Sequence, residues 1–535
     1  MLKSSGAMGI ATIVSRILGM AREMCYAHFM GAGVVAGAFT IAFTIPNLFR
    51  RLLGEGALTA AFIPIFKEKE IAAGEKEMWR SANAVISGML VAATAIIAVA
   101  ILGISLILAM AAPTPGGDGE AETLFAGGFL NPERVLMLRL LRVMFPYLVL
   151  VCFSAICVGI LNARGRFFLP ALGPTILNLI LIAAVFWLAP FMGKRLEEQI
   201  FALAIGVLVA GAAQAAYLVP VLYGEGYRFE WISPWGNETV RLVVQRMVPG
   251  MMGVAAFQLN VAFTQLYTGY IDASIVAAFN YAVRLMELPQ GVFGISLATF
   301  LLPTLAKLAG EKNYTEFRGT LRQGIGYLAT ANLLASALLI VLAQPIMRLL
   351  FERGEFDANA TSRSGFALAC LAPGLIAFSL VNILARAFYA LGDTRTPMKI
   401  SAVCLGLNLI LTVWMVGILA EGGLGLANSI SAGVNVGLLI YALRRKLRHL
   451  DLGPLKAHFL SMAGAAVLAA MLAWTANHFW ERAYGQTALW AKLGAVFIPL
   501  GLATMSYALL LLWLRVPEAK EFLDLFLRKF VRPKP

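Results

Sequence analysis

The chain has 535 residues, 60% of them hydrophobic and 13% charged, and it carries a formal net charge of +14. Soluble domains carry about 25% charged residues, so this composition excludes a soluble protein and favours one whose helices face lipid. The positive charge does not indicate nucleic-acid binding, because Lys and Arg collect in the short cytoplasmic loops of membrane proteins.

Apolar runs that are long enough to cross a bilayer follow one another along nearly the whole chain. A spanning helix needs about 20 mostly apolar residues. Fourteen runs meet this requirement, at 7–29, 35–53, 82–110, 136–160, 169–190, 200–222, 243–268, 274–301, 323–343, 364–390, 398–420, 424–443, 457–477 and 490–514. The sequence therefore predicts an all-α, polytopic membrane protein with 14 transmembrane helices.

The loops between these runs predict the orientation of the chain. Residues 67–80 are charged and predict an interfacial helix. Cations concentrate in this segment and in the loops around Arg164, Lys307, Arg395 and Arg444, whereas the alternate loops contain few. Because cytoplasmic loops are enriched in Lys and Arg, the sequence predicts a multi-pass protein with both termini in the cytoplasm.

A duplicated pattern relates the two halves of the chain. Two prolines and a glycine recur with a constant offset of 227 residues, as Pro146, Gly165 and Pro170 and again as Pro373, Gly392 and Pro397. Parallel duplicated bundles, related by an axis along the membrane normal, are typical of secondary transporters, whose site lies between the halves. The pattern predicts two parallel-repeat six-helix bundles plus two C-terminal helices, with domains at 1–222, 223–450 and 451–535.

Ionisable side chains inside the predicted spans are candidate functional residues, since each costs roughly 2.5–3.5 kcal/mol on insertion scales and usually faces a cavity. The first predicted helix contains Arg16, Arg22 and Glu23. In the second, Arg50 and Arg51 follow a proline near the cytoplasmic end, where arginine side chains also commonly extend to the interface.

The eighth predicted helix carries Arg284 and Glu287, whose three-residue separation allows them to pair on one face. Pro289 follows and can break the helix there. Arginine offers planar, bidentate donors that match phosphate oxygens, and it keeps its charge when buried. A wide cavity with several arginines and few acids is therefore predicted to bind a diphosphate headgroup.

Enzymatic chemistry is not predicted. The five cysteines form no CxxC pair and no histidine cluster accompanies them, so neither a zinc site nor a disulfide is expected. The predicted inner loops lack DxD, DDxxD and HxxxD motifs, which disfavours a membrane-embedded polyprenyl-phosphate transferase. No catalytic residue, metal ligand or cofactor is predicted. Five polar residues are candidates for an ion site or for interhelical hydrogen bonds, namely Asn260, Asn408, Thr412, Asn428 and Asn435.

Four segments resemble one known family. They read SRILGMARE, IPNLFRRLLGEGALTAAFIP, FNYAVRLMELPQGVFGISLATFLLPTLAK and FYALGDTRTPMKI. Together they are similar to the MurJ (MviN) family of bacterial lipid II flippases, which belongs to the MOP exporter superfamily. The resemblance covers nearly the whole chain, and the combination of motifs is far more specific than any one of them.

The resemblance implies a transporter that moves lipid II, the undecaprenyl-diphosphate-linked peptidoglycan precursor, from the cytoplasmic to the periplasmic leaflet of the bacterial inner membrane. It implies alternating access, with lipid II and membrane lipids as partners, and it leaves the oligomeric state open, a monomer being one option. Coupling to the membrane potential or to an ion stays open. It also implies that helices 13 and 14 form a groove for the polyprenyl tail.

Specific residues carry these implied roles. The residues expected to bind the diphosphate headgroup are Arg16, Arg22, Arg50 and Arg284. The residues expected to assist or gate transport are Glu23, Arg51, Glu55 and Glu287.

The chain departs from the family in ways that reduce the number of acids in the predicted cavity. Gly37 and Val283 stand where some relatives carry an acid, and Thr44 stands where some carry a lysine. A sodium site in part of the family uses acids in later helices, and beside Asn408 the candidate here is Thr412, so no sodium site is predicted.

The nearest alternatives are an O-antigen-type lipid-linked oligosaccharide flippase and a multidrug antiporter of the same superfamily. An antiporter of cationic drugs would favour acids in its cavity, whereas this sequence favours arginines. The O-antigen class shares an anionic diphosphate lipid, so only the motifs separate it from the main interpretation.

Overall fold

The computed structural model describes residues 2–54, 57–110, 131–450, 453–518 and 520–521. Throughout these ranges the regular secondary structure is helical, which confirms the predicted all-α class. The chain divides into two compact units, Met1–Ala277 and Ala278–Pro535.

The helices of the first unit run from the N-terminus to the segment that leads into the second unit. They are α1 (Leu2–Met30), α2 (Val34–Phe49), α3 (Ala57–Met110), α4 (Pro132–Met144), α5 (Tyr147–Ala163), α6 (Phe168–Ala171), α7 (Gly173–Ala183), α8 (Leu196–Gln199), α9 (Phe201–Gly224) and α10 (Glu238–Ile271). The wider π-helical geometry extends α2 over Arg50–Gly54 and α7 over Ala184–Leu188, and a short 3₁₀ turn follows at Ala189–Phe191.

The second unit begins within α11 and includes the last helices that the structure describes. Its helices are α11 (Ala273–Pro289), α12 (Ser296–Gly310), α13 (Tyr314–Val341), α14 (Ala343–Phe351), α15 (Ala358–Leu371), α16 (Gly374–Ala390), α17 (Arg395–Leu419), α18 (Glu421–Lys446), α19 (Gly453–Tyr484) and α20 (Leu489–Trp513). A π-helical segment, Gln290–Ile295, joins α11 to α12.

Most of the predicted spans correspond to membrane-crossing helices. Within the described ranges, nine helical runs are long and apolar enough to cross a membrane. Two bent pairs, α4 with α5 at 43° and α15 with α16 at 46°, raise this number to eleven. The other three predicted spans coincide with α1, α2 and α10. These helices are consistent with fourteen spans, a count that stays a prediction.

The packing of α10 does not follow the sequence repeat. The repeat starts the second half near residue 223, but α10 lies in the first unit and packs on α2 and α3. Its Gly269 lies against Ile41 of α2. Packing and duplication are different criteria, so the domain division drawn from the repeat stays a prediction.

The predicted interfacial helix at 67–80 is part of α3, and Gly74 separates it into two pieces. Gly74 has φ 80° and ψ 179°, a conformation that glycine adopts without the steric penalty of a Cβ. Arg164, just after α5, holds both pieces, because its guanidinium lies 2.8 Å from Glu70 Oε1 and 2.8 Å from Glu75 Oε1. The guanidinium also lies 5.9 Å from the centre of the Trp79 ring.

The duplicated proline–glycine pattern produces the same local structure in each unit. Pro146 and Pro373 occupy the position before α5 and α16, at the bends to the preceding helices. Gly165 (φ 81°) and Gly392 (φ 73°) follow the ends of these two helices in the left-handed conformation. In each copy the next residue donates its amide to a carbonyl five residues earlier, as in a Schellman motif.

An ion pair follows each of these turns. Arg166 Nε lies 2.7 Å from Glu225 Oε1, just beyond α9. In the other copy, Lys446 Nζ at the end of α18 lies 2.6 Å from Asp393 Oδ2. Asp393 also accepts hydrogen bonds from the amide and hydroxyl of Thr396. The hydrogen bond from Lys446, followed by that from the Thr396 amide, lowers the pKa of Asp393 to about 2.

We expect Asp393→Asn to lower thermal stability at neutral pH and to lose this effect in acid. A carboxylate whose pKa is depressed by folding stabilises the folded state above its unfolded value of 3.8, and that contribution disappears as the pH falls towards about 2. Thermal unfolding of both proteins in detergent, from pH 8 to pH 3, measures the difference. A difference in Tm that is as large at pH 3 as at pH 8 would contradict the assignment.

Each unit contains its own apolar packing. In the first unit, Phe62 and Phe66 of α3 pack with Ile160 of α5 and Leu222 of α9. In the second, the C-terminal pair α19 and α20 packs on α13, and the Tyr507 hydroxyl donates a 3.0 Å hydrogen bond to the Thr330 carbonyl. The last two helices therefore belong to the second unit.

We expect Gly37→Ala to destabilise the first unit. A Cβ at Gly37 would lie 1.9 Å from the carbonyl oxygen of Ala273, so the backbones of α2 and α11 would have to separate. Overpacking of this kind costs about 1–3 kcal/mol. Gly33→Ala is the matched control, since a Cβ there meets nothing within 4 Å. Thermal unfolding gives the Tm of both variants. Equal Tm values would show that a Cβ at position 37 causes no strain.

Candidate functional site

The first candidate group lies in α1 and is anchored to α7. Arg22 Nη1 donates to Asn178 Oδ1 over 3.0 Å, and Arg22 Nη2 lies 2.5 Å from Glu23 Oε1. Asn178 Nδ2 in turn donates to the Ser15 carbonyl over 3.1 Å. The side chains of Arg22 and Glu23 are only 14% and 5% exposed. This network fixes the orientation of a guanidinium that keeps its full charge away from water.

Arg16 lies in a different environment from Arg22. Its side chain is exposed, and it forms no ion pair or hydrogen bond with the part of the chain that the structure describes. The seven-residue spacing predicts that Arg16 and Glu23 share a face of α1, but Glu23 is paired with its neighbour Arg22. The two arginines of α1 therefore differ, because Arg22 is mostly buried and paired with Glu23, whereas Arg16 is exposed.

The second candidate group lies at the end of α2. Pro46 stands inside α2, and the helix widens into π geometry from Arg50 onwards. Arg50 is partly buried and its Nε donates to Asn47 Oδ1 over 2.7 Å, whereas Arg51 is exposed. Glu55, predicted to assist gating, lies outside the described residues. π-helical turns are rare and occur frequently at functional sites.

The third candidate group lies in α11, in the second unit. Arg284 Nη1 is 3.1 Å from Glu287 Oε2, as the three-residue spacing predicts. Their side chains are 38% and 54% exposed, so this pair is far more accessible to water than Arg22 and Glu23. The α-helix ends at Pro289, where the sequence predicts that it can break, and π-helical turns continue the chain through Gln290–Ile295.

The structure thus joins some of the predicted site residues in pairs. Arg22 contacts Glu23, and Arg284 contacts Glu287. Each pair consists of a guanidinium with one carboxylate. The first pair belongs to the first unit and the second pair to the second unit.

Sequence reasoning missed two partners of charged groups. Asn178 was not singled out, although it positions Arg22. In the second unit, Arg363 of α15 pairs in a bidentate manner with the buried Glu421 at the start of α18, over 3.1 and 3.2 Å. The sequence shows that both positions are charged, but it does not show that Arg363 and Glu421, which lie 58 residues apart, pair with each other.

The polar residues considered for an ion site have mixed surroundings. Asn428 Nδ2 donates to the Leu424 carbonyl within α18. Neighbouring Ser431, which the sequence did not single out, donates an interhelical hydrogen bond to the Cys404 carbonyl of α17. Within the described ranges, no three His, Cys, Asp or Glu side chains are grouped in a way that could hold a metal ion.

An apolar groove of about 450 Å³ lies along the C-terminal pair of helices. It is formed by α19 and α20, and most of its surface is apolar. The lining residues are Leu468, Leu472, Ser506, Leu509, Leu510 and Trp513. Its chemistry suits an isoprenoid or acyl chain, and the polar groups of its lining side chains are the Ser506 hydroxyl and the Trp513 indole N–H.

Comparisons with known proteins identify relatives along the whole chain. The family model of the lipid II flippase MurJ matches residues 26–493. The probable lipid II flippase MurJ of Vibrio cholerae serotype O1 is 31% identical over 97% of this chain and 98% of its own length. The probable lipid II flippase MurJ of Rhizobium tropici is 32% identical over 94% of this chain and 92% of its own length.

Solved structures show the same fold. A lipid II flippase MurJ in an inward closed conformation has a TM-score of 0.74 at 22% identity and covers 98% of this chain and 99% of its own. An inward-facing multidrug resistance MATE family transporter of the MOP superfamily has a TM-score of 0.63 at 15% identity, over 82% of this chain and 96% of its own. At these identities the likeness concerns the fold alone.

Proposed function

Because this chain belongs to the lipid II flippase MurJ family, we propose that it moves lipid II from the cytoplasmic to the periplasmic leaflet by alternating access. The protein is a transporter and not an enzyme. The match of the family model over residues 26–493 carries this conclusion, because it includes the segments that contain the candidate arginines Arg50 and Arg284.

The proposed ligands of the diphosphate are Arg16, Arg22, Arg50 and Arg284. A guanidinium presents parallel N–H donors to two phosphate oxygens, and its attraction to an anion strengthens as water is excluded. Arg22 fits this role best in the first unit, because Asn178 and Glu23 hold its guanidinium in one orientation while most of its side chain is buried.

The acids beside the arginines suit the role of exchangeable counter-ions. Glu287 is more than half exposed, and ion pairs between exposed groups contribute little, about 0–1 kcal/mol. A diphosphate can therefore displace Glu287 from Arg284 at small cost. Glu23 is buried and remains with Arg22, so it lowers the net positive charge of the first unit when no substrate is bound.

The groove of α19 and α20 supports a place for the lipid tail. Its lining is predominantly apolar, and a polyprenyl chain is hydrocarbon throughout. Burial of apolar surface is favourable by about 25 cal/mol per Å², so the groove would hold the tail without directional contacts.

The cellular placement that fits this function is the bacterial inner membrane with both termini in the cytoplasm, as the cation-rich loops predict. The membrane potential can assist the return of the empty carrier. Each elementary charge that crosses the field contributes about 2.3 kcal/mol per 100 mV. A monomer supplies both units that the mechanism requires.

Rescue of bacteria that have been depleted of their own lipid II flippase tests this function. We expect the wild-type chain to restore growth and cell shape, and we expect purified protein in vesicles to move fluorescent lipid II between leaflets. Failure of both, with normal membrane expression, would contradict lipid II as the substrate. Transport of an O-antigen-type lipid in the same vesicles would then identify the alternative flippase class.

A further inference from the structure

A polar layer crosses the interior of the second unit. On one side of it, Leu328 of α13 packs with Ile383 of α16 and Ala298 of α12. On the other side, Ala335 of α13 packs with Leu375 of α16. Between these two apolar clusters, α13 carries Asn332, α16 carries Ser379, and the chain from α11 to α12 takes the π-helical form. We call these three elements the polar layer.

The polar groups of this layer are buried and unpaired. Asn332 and Ser379 are fully buried. Neither amide atom of Asn332 has a hydrogen-bond partner among the described residues, and neither has the Ser379 hydroxyl. A buried amide or hydroxyl without a partner is strongly unfavourable, so native proteins satisfy such groups with protein atoms or with ordered water.

The π-helical segment lies directly against this layer. A Cβ built on Gly294 would be 2.7 Å from Ser379 Oγ, so the backbone of Gln290–Ile295 passes close to that hydroxyl. The segment also packs on α13 and α16. π-helical turns of this kind are rare and occur frequently at functional sites.

We propose that the polar layer binds one or more ordered water molecules. A water molecule donates and accepts hydrogen bonds, so it can satisfy both Oδ1 and Nδ2 of Asn332 together with the Ser379 hydroxyl, and a buried water needs two to four such partners. A cation is a poorer fit, because it would repel the Asn332 NH₂ group and because the layer, including residues 290–295, contains no carboxylate.

The position of this water gives it a mechanical role that rests on the proposed transport function. The π-helical segment follows α11, which carries Arg284. Water exchanges its hydrogen-bond partners readily, whereas a close-packed apolar contact resists deformation. The hydrated layer therefore allows α11 and α12 to change their angle during the transport cycle.

Radiolytic hydroxyl labelling of the intact protein in nanodiscs tests the water directly. Radicals generated from bound water oxidise adjacent side chains even when these are buried. Met286 packs with Leu375 next to the layer and is nearly fully buried. We expect it to be oxidised several-fold faster in the wild type than in Asn332→Leu, whose apolar side chain displaces water. Met347 is the control, since it is equally buried in α14 and should be unaffected.

Three results would overturn the proposal. One is equal oxidation of Met286 in the wild type and in Asn332→Leu. The second is a thermal stability that rises with sodium, but not with an equal concentration of choline, and that loses this response in Asn332→Leu, because the ligand would then be a cation. The third is oxidation of Met286 in the wild type that is no faster than that of the equally buried Met347, because no bound water would then lie beside Met286. None of these measurements requires lipid II transport.

Discussion

Arg284→Ala is expected to abolish rescue of flippase-depleted cells and to slow lipid II transport in vesicles by about 10- to 150-fold. This range corresponds to the loss of about 1.5–3 kcal/mol for a hydrogen bond to a charged group. The Arg284 side chain is 38% exposed and pairs with a Glu287 side chain that is 54% exposed, so the substitution should leave the fold intact. Transport assays at equal membrane expression measure the effect.

Glu287→Gln is the matched control for Arg284→Ala. It removes the other half of the same ion pair and leaves the guanidinium in place. We expect it to retain most of the transport activity, because the diphosphate displaces Glu287 in the proposed mechanism. Arg284→Lys should give an intermediate rate, since lysine supplies charge without the planar fork. Equal loss in Glu287→Gln and Arg284→Ala would show that the ion pair itself, and not substrate binding, is required.

Arg22→Lys is expected to fold and yet to transport lipid II at least about tenfold more slowly. Lysine keeps a positive charge beside the buried Glu23, but it cannot make the two directed contacts that the guanidinium makes with Glu23 and Asn178. Arg22→Ala is a less informative change, because an uncompensated buried carboxylate costs about 3–5 kcal/mol and could prevent folding. Transport and thermal unfolding should be measured together.

Asn178→Ala separates the positioning of Arg22 from its charge. This variant keeps the Arg22–Glu23 pair and removes the link between α1 and α7. We expect a smaller loss of transport than in Arg22→Lys, with the loss concentrated in the apparent affinity for lipid II. Full activity in Arg22→Lys, or normal affinity in Asn178→Ala, would exclude Arg22 as an oriented ligand of the diphosphate.

Local features of the molecule could be predicted from the sequence because they depend on neighbours in the chain. Apolar length predicts the spanning runs, and the three-residue spacing predicts the pair of Arg284 and Glu287. The offset of 227 residues predicts two equivalent turns, since Gly165 and Gly392 take the same left-handed conformation.

The features that the sequence did not predict depend on tertiary packing. Asn178 lies 156 residues from Arg22, and nothing in the pattern of α7 identifies it as a partner. Pro289 removes a backbone donor, which favours a break, but packing of the following turns against Ser379 keeps the chain helical in the wider form. Likewise, the association of α10 with the first unit reflects which helices it packs on, and not where the duplication begins.

The turns at Gly165 and Gly392 share the same main-chain conformation, but the residues that follow the two glycines carry opposite charges. At the position after the turn glycine, one copy has the cation Arg166, which pairs with Glu225, and the other has the anion Asp393, which pairs with Lys446. Each of these two ion pairs forms only with its own arrangement of positive and negative charge. A turn transplanted from one copy to the other would therefore place like charges together unless its distant partner moved with it.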